Sequence, residues 1–160
     1  MMYVIQVTPA SELSVRAALE REGISAYVPR RELIIRKNGG WTKVIHTMLP
    51  SYVFLDCDYC PETHYIVKSV NGVLNWLGKP TPITGGEEEF MRLIINGGVP
   101  IPESTATVDN DRNVTVTSGW LRGNERYIIG HNFRKKRALL DIRFGGRLHR
   151  TSVGVEYTKV

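Results

Sequence analysis

The sequence predicts two domains, an α+β domain with helices packed on an antiparallel sheet and a small all-β barrel that follows it. In the first 95 residues, strand-like and helix-like stretches follow in the order β-α-β-β-β-β-α-β-α, which favours an antiparallel sheet covered by helices. Beyond residue 113 only short β-like stretches separated by turn residues remain, as in a small barrel. The expected boundaries are 1–95 for the first domain, 96–113 for a flexible linker and 114–160 for the second domain.

The first domain opens with a strand, "YVIQV", and a helix, "TPASELSVRAALEREG". Thr8 suits an N-cap, Pro9 the first helical position and Gly23 the end of this helix. Three short strands follow, "AYVPR", "ELIIRK" and "KVIHTML", and the Asn-Gly-Gly at 38–40 predicts a hairpin turn between the last two. "SYVFLDC" is the most strand-like stretch of the chain because β-branched and aromatic residues dominate it.

The remaining elements are predicted from caps and turn residues. A helix, "PETHYIVKSVNG", begins at Pro61, and "VLNWLG" returns to a strand. Thr84 and Glu87 have capping-box spacing at the start of a last helix, "TGGEEEFMRLIING". The next stretch, "NGGVPIPESTATVDNDRN", has no periodic apolar face and predicts a linker. Four β-like runs complete the chain: "VTVTS", "RYIIGH", "ALLDIRF" and "RTSVGVEY".

Composition places the chain among ordinary globular proteins, with 42% hydrophobic and 23% charged residues and a net charge of +5. The charge is unevenly distributed. Before residue 107, ten Lys or Arg accompany eleven Asp or Glu, whereas residues 118–150 contain nine Lys or Arg and two acidic residues. This asymmetry favours a polyanionic partner for the second domain.

The sequence contains no motif that indicates an enzyme active site. Cys57 and Cys60 stand between a predicted strand and a helix, but no parallel redox fold surrounds them, and two buried or half-buried small residues at a strand end are the favoured interpretation. The four His lack the paired spacing of a zinc site, and no phosphate-binding glycine loop or nucleophile motif occurs. We therefore expect a non-enzymatic protein with no cofactor and no metal. The absence of a membrane-spanning stretch or a signal peptide favours the cytoplasm.

The strand in "LPSYVFL", residues 49–55, is apolar on both faces. Tyr52 and Phe54 point to one side, and Val53 and Leu55 to the other. Trp76, in the neighbouring strand, is expected to extend the Tyr52 face. Two interpretations stay open, a sheet covered by helices on both sides and a sheet with one face that binds a partner.

The basic stretch at 132–150 alternates between apolar and charged residues. Its even-numbered apolar residues, from Ala138 to Phe144, fit the buried face of a strand. A three-residue Gly-Gly-Arg loop, rather than a two-residue turn, would place Arg143 opposite His149 and Arg147 at the tip. Residues 134–137, "RKKR", occupy the preceding turn, here called the basic turn. The stretch is interpreted either as a solvated face or, as its single sign of charge favours, as a nucleic-acid surface.

Along nearly its whole length the sequence resembles the NusG family of transcription elongation factors. The strongest marks are residues 49–53, Leu-Pro-Ser-Tyr-Val, which look like the family's Phe-Pro-Gly-Tyr-Val, and residues 71–73, Asn-Gly-Val, which look like its Pro-Gly-Val. The resemblance implies an N-terminal NGN domain that binds the clamp helices of RNA polymerase through an apolar cavity. Carried over to this sequence, the RNA polymerase-binding residues are Pro50, Tyr52, Phe54 and Trp76. A contact between this domain and non-template DNA stays open.

The second domain resembles a KOW domain, an SH3-like barrel, but departs from the family pattern. Gly119-Trp120-Leu121 replaces Gly-Pro-Phe, and Arg126 replaces a loop glycine. Added charge, with Trp120, Phe133 or Tyr127 for stacking, suits a hairpin in nascent leader RNA. This is similar to the operon-specific bacterial antiterminators called LoaP. The alternative is a general elongation factor whose KOW domain binds the ribosomal protein S10 or Rho. We expect a monomer whose nucleic-acid-binding residues are Arg122, Arg126, Arg134, Lys135, Lys136, Arg137, Arg143, Arg147 and His149.

Overall fold

The computed structural model describes residues 1–160, which form eleven strands and three α-helices. In chain order these elements are β1 (Met2–Val7), α1 (Glu12–Arg21), β2 (Ser25–Tyr27), β3 (Arg30–Lys37), β4 (Gly40–Thr47), β5 (Tyr52–Asp56), α2 (Pro61–Ser69), β6 (Val73–Trp76), α3 (Gly85–Ile95), β7 (Ser104–Val108), β8 (Val114–Ser118), β9 (Ile128–Asn132), β10 (Arg137–Phe144) and β11 (Arg147–Lys159). None of the three helices is both long and apolar enough to cross a lipid bilayer.

The chain divides into two compact units, each assembled from separate stretches of sequence. Unit 1 comprises Met1–Pro29, Leu49–Gly98 and Arg143–Arg147, and unit 2 comprises Arg30–Met48, Val99–Ile142 and Leu148–Val160. These units differ from the contiguous segments that the sequence predicts, because β3 and β4 belong to unit 2 and the tip of the last hairpin belongs to unit 1. The expected fold classes are confirmed, since unit 1 is α+β and unit 2 is a curled all-β structure.

Unit 1 is built on a four-stranded sheet in the order β2-β5-β1-β6, and all the pairings described in it are antiparallel. One face is covered by α1 and α2, whose buried side chains, such as Leu19 and Val67, join Ile5, Val53 and Leu55 of the strands in one core. Each buried aliphatic side chain of this kind stabilises the fold by about 1.5–3 kcal/mol relative to an exposed one. The core therefore fixes which residues of β5 point toward the helices and which point away.

Helix α1 begins later than the sequence predicts. The expected start at Thr8 and Pro9 is wrong, because the helix begins at Glu12 with Ser11 as its N-cap residue. The backbone N–H of Thr8 instead donates to the carbonyl of Gly72 at 2.8 Å, and the Thr8 carbonyl accepts from the N–H of Ser11 at 3.0 Å in a turn before the helix. Ala10 then takes a positive φ of 69°, which no α-helix accommodates.

Helices α2 and α3 occur where the sequence predicts them. Pro61 is the first residue of α2, as expected. Thr84 is the N-cap residue of α3, but its side chain makes no capping hydrogen bond, so the expected capping box is not formed. In α3 the buried residues Phe90, Met91, Ile94 and Ile95 recur at the spacing of one helical face.

Unit 2 contains a five-stranded sheet in the order β8-β7-β11-β10-β9. Strand β7 lies in the segment expected to be a flexible linker. Its alternating residues Ser104, Ala106 and Val108 are buried, and it pairs in parallel with β11. Only two apolar residues, Ala106 and Val108, occur in this strand, which is too few to distinguish it from a linker by sequence pattern alone.

The β3–β4 hairpin is fixed to the rest of unit 2 by backbone hydrogen bonds. Eight residue pairs align β3 with β4, from Arg30 opposite Thr47 to Lys37 opposite Gly40. Ile101 donates to the carbonyl of Arg30 and accepts from the N–H of Glu32, each at 2.8 Å. These long-range bonds explain why the hairpin belongs to unit 2.

Gly119, after β8, is required by both its conformation and its surroundings. Its φ is +96°, and a Cβ atom there would lie 2.7 Å from the Cα of Ser104. The Ser104 hydroxyl in turn accepts a hydrogen bond from the N–H of Leu121 at 3.1 Å. The turn that carries Trp120 is therefore packed directly on β7.

The turn between β10 and β11 consists of two residues. Strand β10 ends at Phe144, β11 begins at Arg147, and Gly145 and Gly146 both have positive φ, +60° and +72°, as a type I′ turn needs. Leu148 is 55% exposed whereas Phe144 is fully buried. The three-residue loop, and with it the placement of Arg143 opposite His149, is therefore wrong.

Candidate functional site

Tyr52 and Phe54 lie together on the face of the unit 1 sheet that points away from α1 and α2. Their alternation with the core residues Val53 and Leu55 follows from the β1–β5 register. Phe144 packs its ring edge-on against both, at centroid distances of 5.2 Å to Tyr52 and 5.3 Å to Phe54. Phe54 and Phe144 are both fully buried. The partner of this apolar face is therefore a residue of the same chain.

Trp76 lies on the opposite face of the sheet from Tyr52. Ile5 pairs with Val53 on one side and with Trp76 on the other, so the three side chains share the helix-covered face. Trp76 is 5% exposed and stacks on His64 at 5.8 Å between ring centroids. The expectation that it extends the Tyr52 face is wrong. Pro50, by contrast, is exposed in the turn just before β5.

The basic turn is a well-defined hairpin loop between β9 and β10. The side-chain oxygen of Asn132 accepts from the N–H of Lys135 at 3.0 Å, and Lys136 takes a positive φ of 58°. The Lys136 carbonyl accepts from the N–H of Val155 at 2.9 Å. Arg134 and Lys135 are exposed, and Lys136 and Arg137 are half-buried. The backbone thus holds four cations in one short segment of unit 2.

Beside the basic turn, unit 2 has a cavity of about 520 Å³, here called the Trp41 groove. Its walls are Ile34–Arg36 and Trp41 of the β3–β4 hairpin and Arg134, Lys135 and Arg137 of the basic turn. The Lys136 ammonium lies 4.5 Å from the centroid of the Trp41 ring, and the Arg36 guanidinium 5.5 Å from it. Arg36 and Trp41 are directly paired across the hairpin.

Trp41 and Arg36 were not among the residues that the sequence predicts as a site. A signal for their pairing exists, because a turn centred on Asn38 and Gly39 places Arg36 opposite Trp41. No local signal brings this hairpin to the basic turn, which lies some 95 residues further along the chain. The union of the two elements is a property of the fold alone.

The other predicted cations lie outside the Trp41 groove. Arg122 donates to the carbonyl of Thr117 at 3.3 Å, and Arg126 covers the Tyr127 ring with its guanidinium carbon 4.6 Å from the centroid. Arg143 and Arg147 are exposed residues of unit 1, whereas His149 is a half-buried residue of unit 2.

Arg150, which the sequence left without a role, bonds Asp141 at 3.0 Å. This ion pair neutralises one charge of the basic stretch. An exposed pair of this kind is worth at most about 1 kcal/mol, so Arg150 is a minor contributor to stability.

Two of the aromatic residues proposed for stacking have partners within unit 2. The Phe133 ring lies 4.9 Å from Tyr157 in an edge-to-face contact and stacks on His131 at 5.9 Å. Tyr127 is covered by Arg126, as described above. Trp120 is half-buried, and its carbonyl accepts from the side chain of Asn124 at 2.6 Å. Trp41 also has cations over its ring, but it is 43% exposed, whereas Phe133, Tyr127 and Trp120 are all half-buried.

Cys57 and Cys60 are both free thiols. The Cys60 sulfur caps α2, where its partners are the hydroxyl and the N–H of Thr63, at 3.2 and 3.5 Å, and these hydrogen bonds lower the pKa of the thiol. Burial raises the pKa of Cys57. Cys57 is half-buried, as the favoured interpretation of the pair expects, whereas Cys60 is exposed and has a local role in starting a helix.

Comparison with known proteins decides the family. A family model described as transcription termination factor nusG matches residues 2–94. The chain belongs to the NusG family. One relative is the transcription termination/antitermination protein NusG of Neisseria meningitidis, 24% identical over 171 residues that cover 99% of this chain and 95% of that protein. The protein of the same name from Pseudomonas aeruginosa is 26% identical over 150 residues, covering 90% and 82%.

The NusG fold extends beyond the matched segment. A solved structure described as domain interaction in Thermotoga maritima NusG is similar to this chain with a TM-score of 0.53 and 15% identity, covering 96% of this chain and 92% of that one. At this identity the likeness shows a common fold. The protein is thus a NusG-type transcription termination/antitermination factor.

Proposed function

We propose that this NusG-family protein is an operon-specific processive antiterminator, which binds RNA polymerase through unit 1 and structured leader RNA through unit 2. The observation that carries the proposal is the basic turn, where four consecutive cations are held by the backbone beside an exposed tryptophan. Phosphate contacts by Lys and Arg release condensed counterions, which gives such a surface affinity for RNA. The protein would act in the cytoplasm, where the polymerase and the nascent transcript are found.

The proposed polymerase contact uses the Tyr52 and Phe54 face, with Pro50 exposed at its edge. Because Phe144 packs against both Tyr52 and Phe54, residues 143–147 must leave this face before the polymerase can occupy it. Polymerase binding then costs the free energy needed to uncover this face. The apparent affinity equals the intrinsic affinity multiplied by the fraction of molecules in which the face is uncovered. Trp76 is not part of the contact, and it supports the sheet from the helix side.

The basic turn also bears on the alternative, a general factor whose second domain binds S10 or Rho. A solvated surface without a nucleic-acid role usually mixes charges of both signs. Arg134, Lys135 and Arg137 form no ion pair with a carboxylate, whereas Arg150 does. This unneutralised charge favours RNA over a protein surface as the ligand of unit 2.

The test is titration of the full chain with the leader transcript of the neighbouring operon and with a scrambled transcript of equal length, at several salt concentrations. The full chain is needed because truncation near residue 107 would cut strand β7. We expect specific binding near physiological salt, and Lys135→Ala should lower the slope of log affinity against log salt by about 0.7–0.9. Lys79→Ala, which removes an exposed lysine of unit 1, should leave the slope unchanged. Weak and equal binding of both transcripts would contradict the proposal and favour the general factor.

A further inference from the structure

The Trp41 groove combines a flat aromatic surface with fixed positive charge. Trp41 is 43% exposed, and the cations nearest its ring are Arg36 of the same hairpin and Lys136 of the basic turn. Ile34 and Ile35 form an apolar wall beside it. The cavity, of about 520 Å³, is within the range of sites that take small ligands. Its shape and lining suit a planar group that carries negative charge at its edge.

The cations that line the groove form no ion pair with a carboxylate. Burial, and next the charge of Arg137, lowers the pKa of Arg31 to about 10. Arg31 donates to the carbonyl of Thr47, but its Nε and that of Arg137 have no partner. The acidic group that interacts electrostatically with Lys136 is Glu103, whose own pKa is raised, chiefly by burial. Two neighbouring guanidinium groups with free donors would be stabilised by an anion.

The geometry of the groove is set by the backbone before any ligand arrives. The β3–β4 register places Arg36 beside Trp41, and the bond from the Lys135 N–H to Asn132 fixes the basic turn. Preorganised groups lose little conformational freedom on binding, so their interactions appear largely as affinity. A planar, anionic ligand thus meets a backbone that is already in place, and its base takes a face of the Trp41 ring by displacing the flexible Lys136 or Arg36 side chain that lies over that ring.

We propose that the Trp41 groove binds an unpaired nucleotide of an RNA strand, with its base stacked on the Trp41 ring and its flanking phosphates on Arg36 and the basic turn. The inference rests on the proposed function and specifies its ligand, since it places a single-stranded segment of the leader RNA in unit 2. Aromatic stacking combined with cations that follow the backbone is the usual means of binding single strands. An acidic peptide would use the cations but leave the exposed indole without a planar partner.

The test measures tryptophan fluorescence of the full chain during titration with single-stranded oligo(U) and oligo(A) RNA of about 12 nucleotides, a length within the site sizes of single-strand binding proteins. Stacking of a base on the indole should quench the emission, and the Trp41→Phe variant should lack this quenching. Trp41→Leu should weaken oligonucleotide binding about tenfold, in keeping with the loss of one stacked base. Ile45→Ala is the matched control, since Ile45 is a 55% exposed apolar residue of the same strand outside the groove. It should bind as the unsubstituted chain does.

The outcomes separate this inference from the proposed function. If the leader transcript binds specifically and with equal affinity to the Trp41→Leu variant and the unsubstituted chain, the groove does not hold a nucleotide, although RNA recognition by unit 2 stands. If the full chain binds the leader transcript and the scrambled transcript with equal affinity, the proposed function itself is contradicted, whatever the Trp41→Leu variant does. Equal affinity for oligo(dT) of the same length would overturn the assignment to RNA. Quenching that is retained in Trp41→Phe would place the base on Trp76 or Trp120 and would also overturn it.

Discussion

Replacement of Phe144 by Leu tests whether the Tyr52 and Phe54 face binds RNA polymerase. Phe144 makes two edge-to-face ring contacts, at 5.2 Å with Tyr52 and 5.3 Å with Phe54. Each such pair contributes about 0.5–1.5 kcal/mol beyond the area it buries. Leu keeps most of the apolar volume but removes both ring contacts, so the covered state should lose about 1–3 kcal/mol. Phe144→Ala would lose about 3–5 kcal/mol and is more prone to unfold the chain.

The lower stability of the covered state in Phe144→Leu should also increase the affinity for RNA polymerase. When the covered state dominates, the apparent dissociation constant is the intrinsic one divided by the uncovered fraction. A destabilisation of about 1–3 kcal/mol then raises the affinity roughly fivefold to 150-fold, at about 1.4 kcal/mol per factor of ten. We expect Phe144→Leu to bind core RNA polymerase more tightly than the unsubstituted chain while its urea midpoint falls.

Phe133→Leu is the matched control, because Phe133 also makes an edge-to-face contact, with Tyr157 at 4.9 Å, but in unit 2. It should lower stability without any change in polymerase affinity. The two quantities are measured by equilibrium urea denaturation and by fluorescence anisotropy with labelled protein. A Phe144→Leu chain that is less stable yet binds polymerase with unchanged affinity would refute the assignment of this face.

Three further predictions concern stability and reactivity. Gly119→Ala should destabilise the fold by about 2–4 kcal/mol, because the positive φ and the steric overlap with Ser104 both oppose a Cβ atom. Gly123→Ala should destabilise it by only about 1–2 kcal/mol, since Gly123 has a φ of +90° but open space around it. Urea denaturation measures both changes. Burial lowers the pKa of His131, so the unfolded chain takes up the proton first, and stability should fall as pH drops below about 6.5. His131→Gln should reduce this slope, and an unchanged slope would contradict the assignment. Cys60, exposed and with its pKa lowered by hydrogen bonds to its sulfur, should be alkylated faster than the half-buried Cys57, as peptide mass mapping would show.

Features set by neighbouring residues could be predicted from the sequence. Strand β5 follows from a β-branched and aromatic run, and α2 begins at Pro61 because proline suits the first helical position. The basic turn follows from four adjacent cations between two strand-like runs. The prediction of where α1 starts was wrong because the Thr8 N–H donates to the carbonyl of Gly72, 64 residues away, and no local pattern reveals this bond.

Features set by long-range pairing could not be predicted. The face of Trp76 depends on the residue of β1 opposite it, and an irregularity between Gln6 and Val7 shifts that register. Phe144 has the parity of a buried strand residue whether or not it covers Phe54. The sequence therefore identified the apolar strand and the cations, but not the residues that lie against them.

The proposed RNA contact combines charge and stacking, whose contributions to affinity can be separated, and this separation bears on specificity. Cations that contact phosphate set the slope of log affinity against log salt, because each contact releases counterions. Stacking on an indole releases none, so Trp41→Leu should lower affinity by a constant factor at every salt concentration, while Lys135→Ala should change the slope. Neither contribution reads base identity strongly, since every base has a face that stacks. Discrimination between transcripts must therefore come from the shape of the RNA, which has to present an unpaired nucleotide to Trp41 while its backbone follows the basic turn.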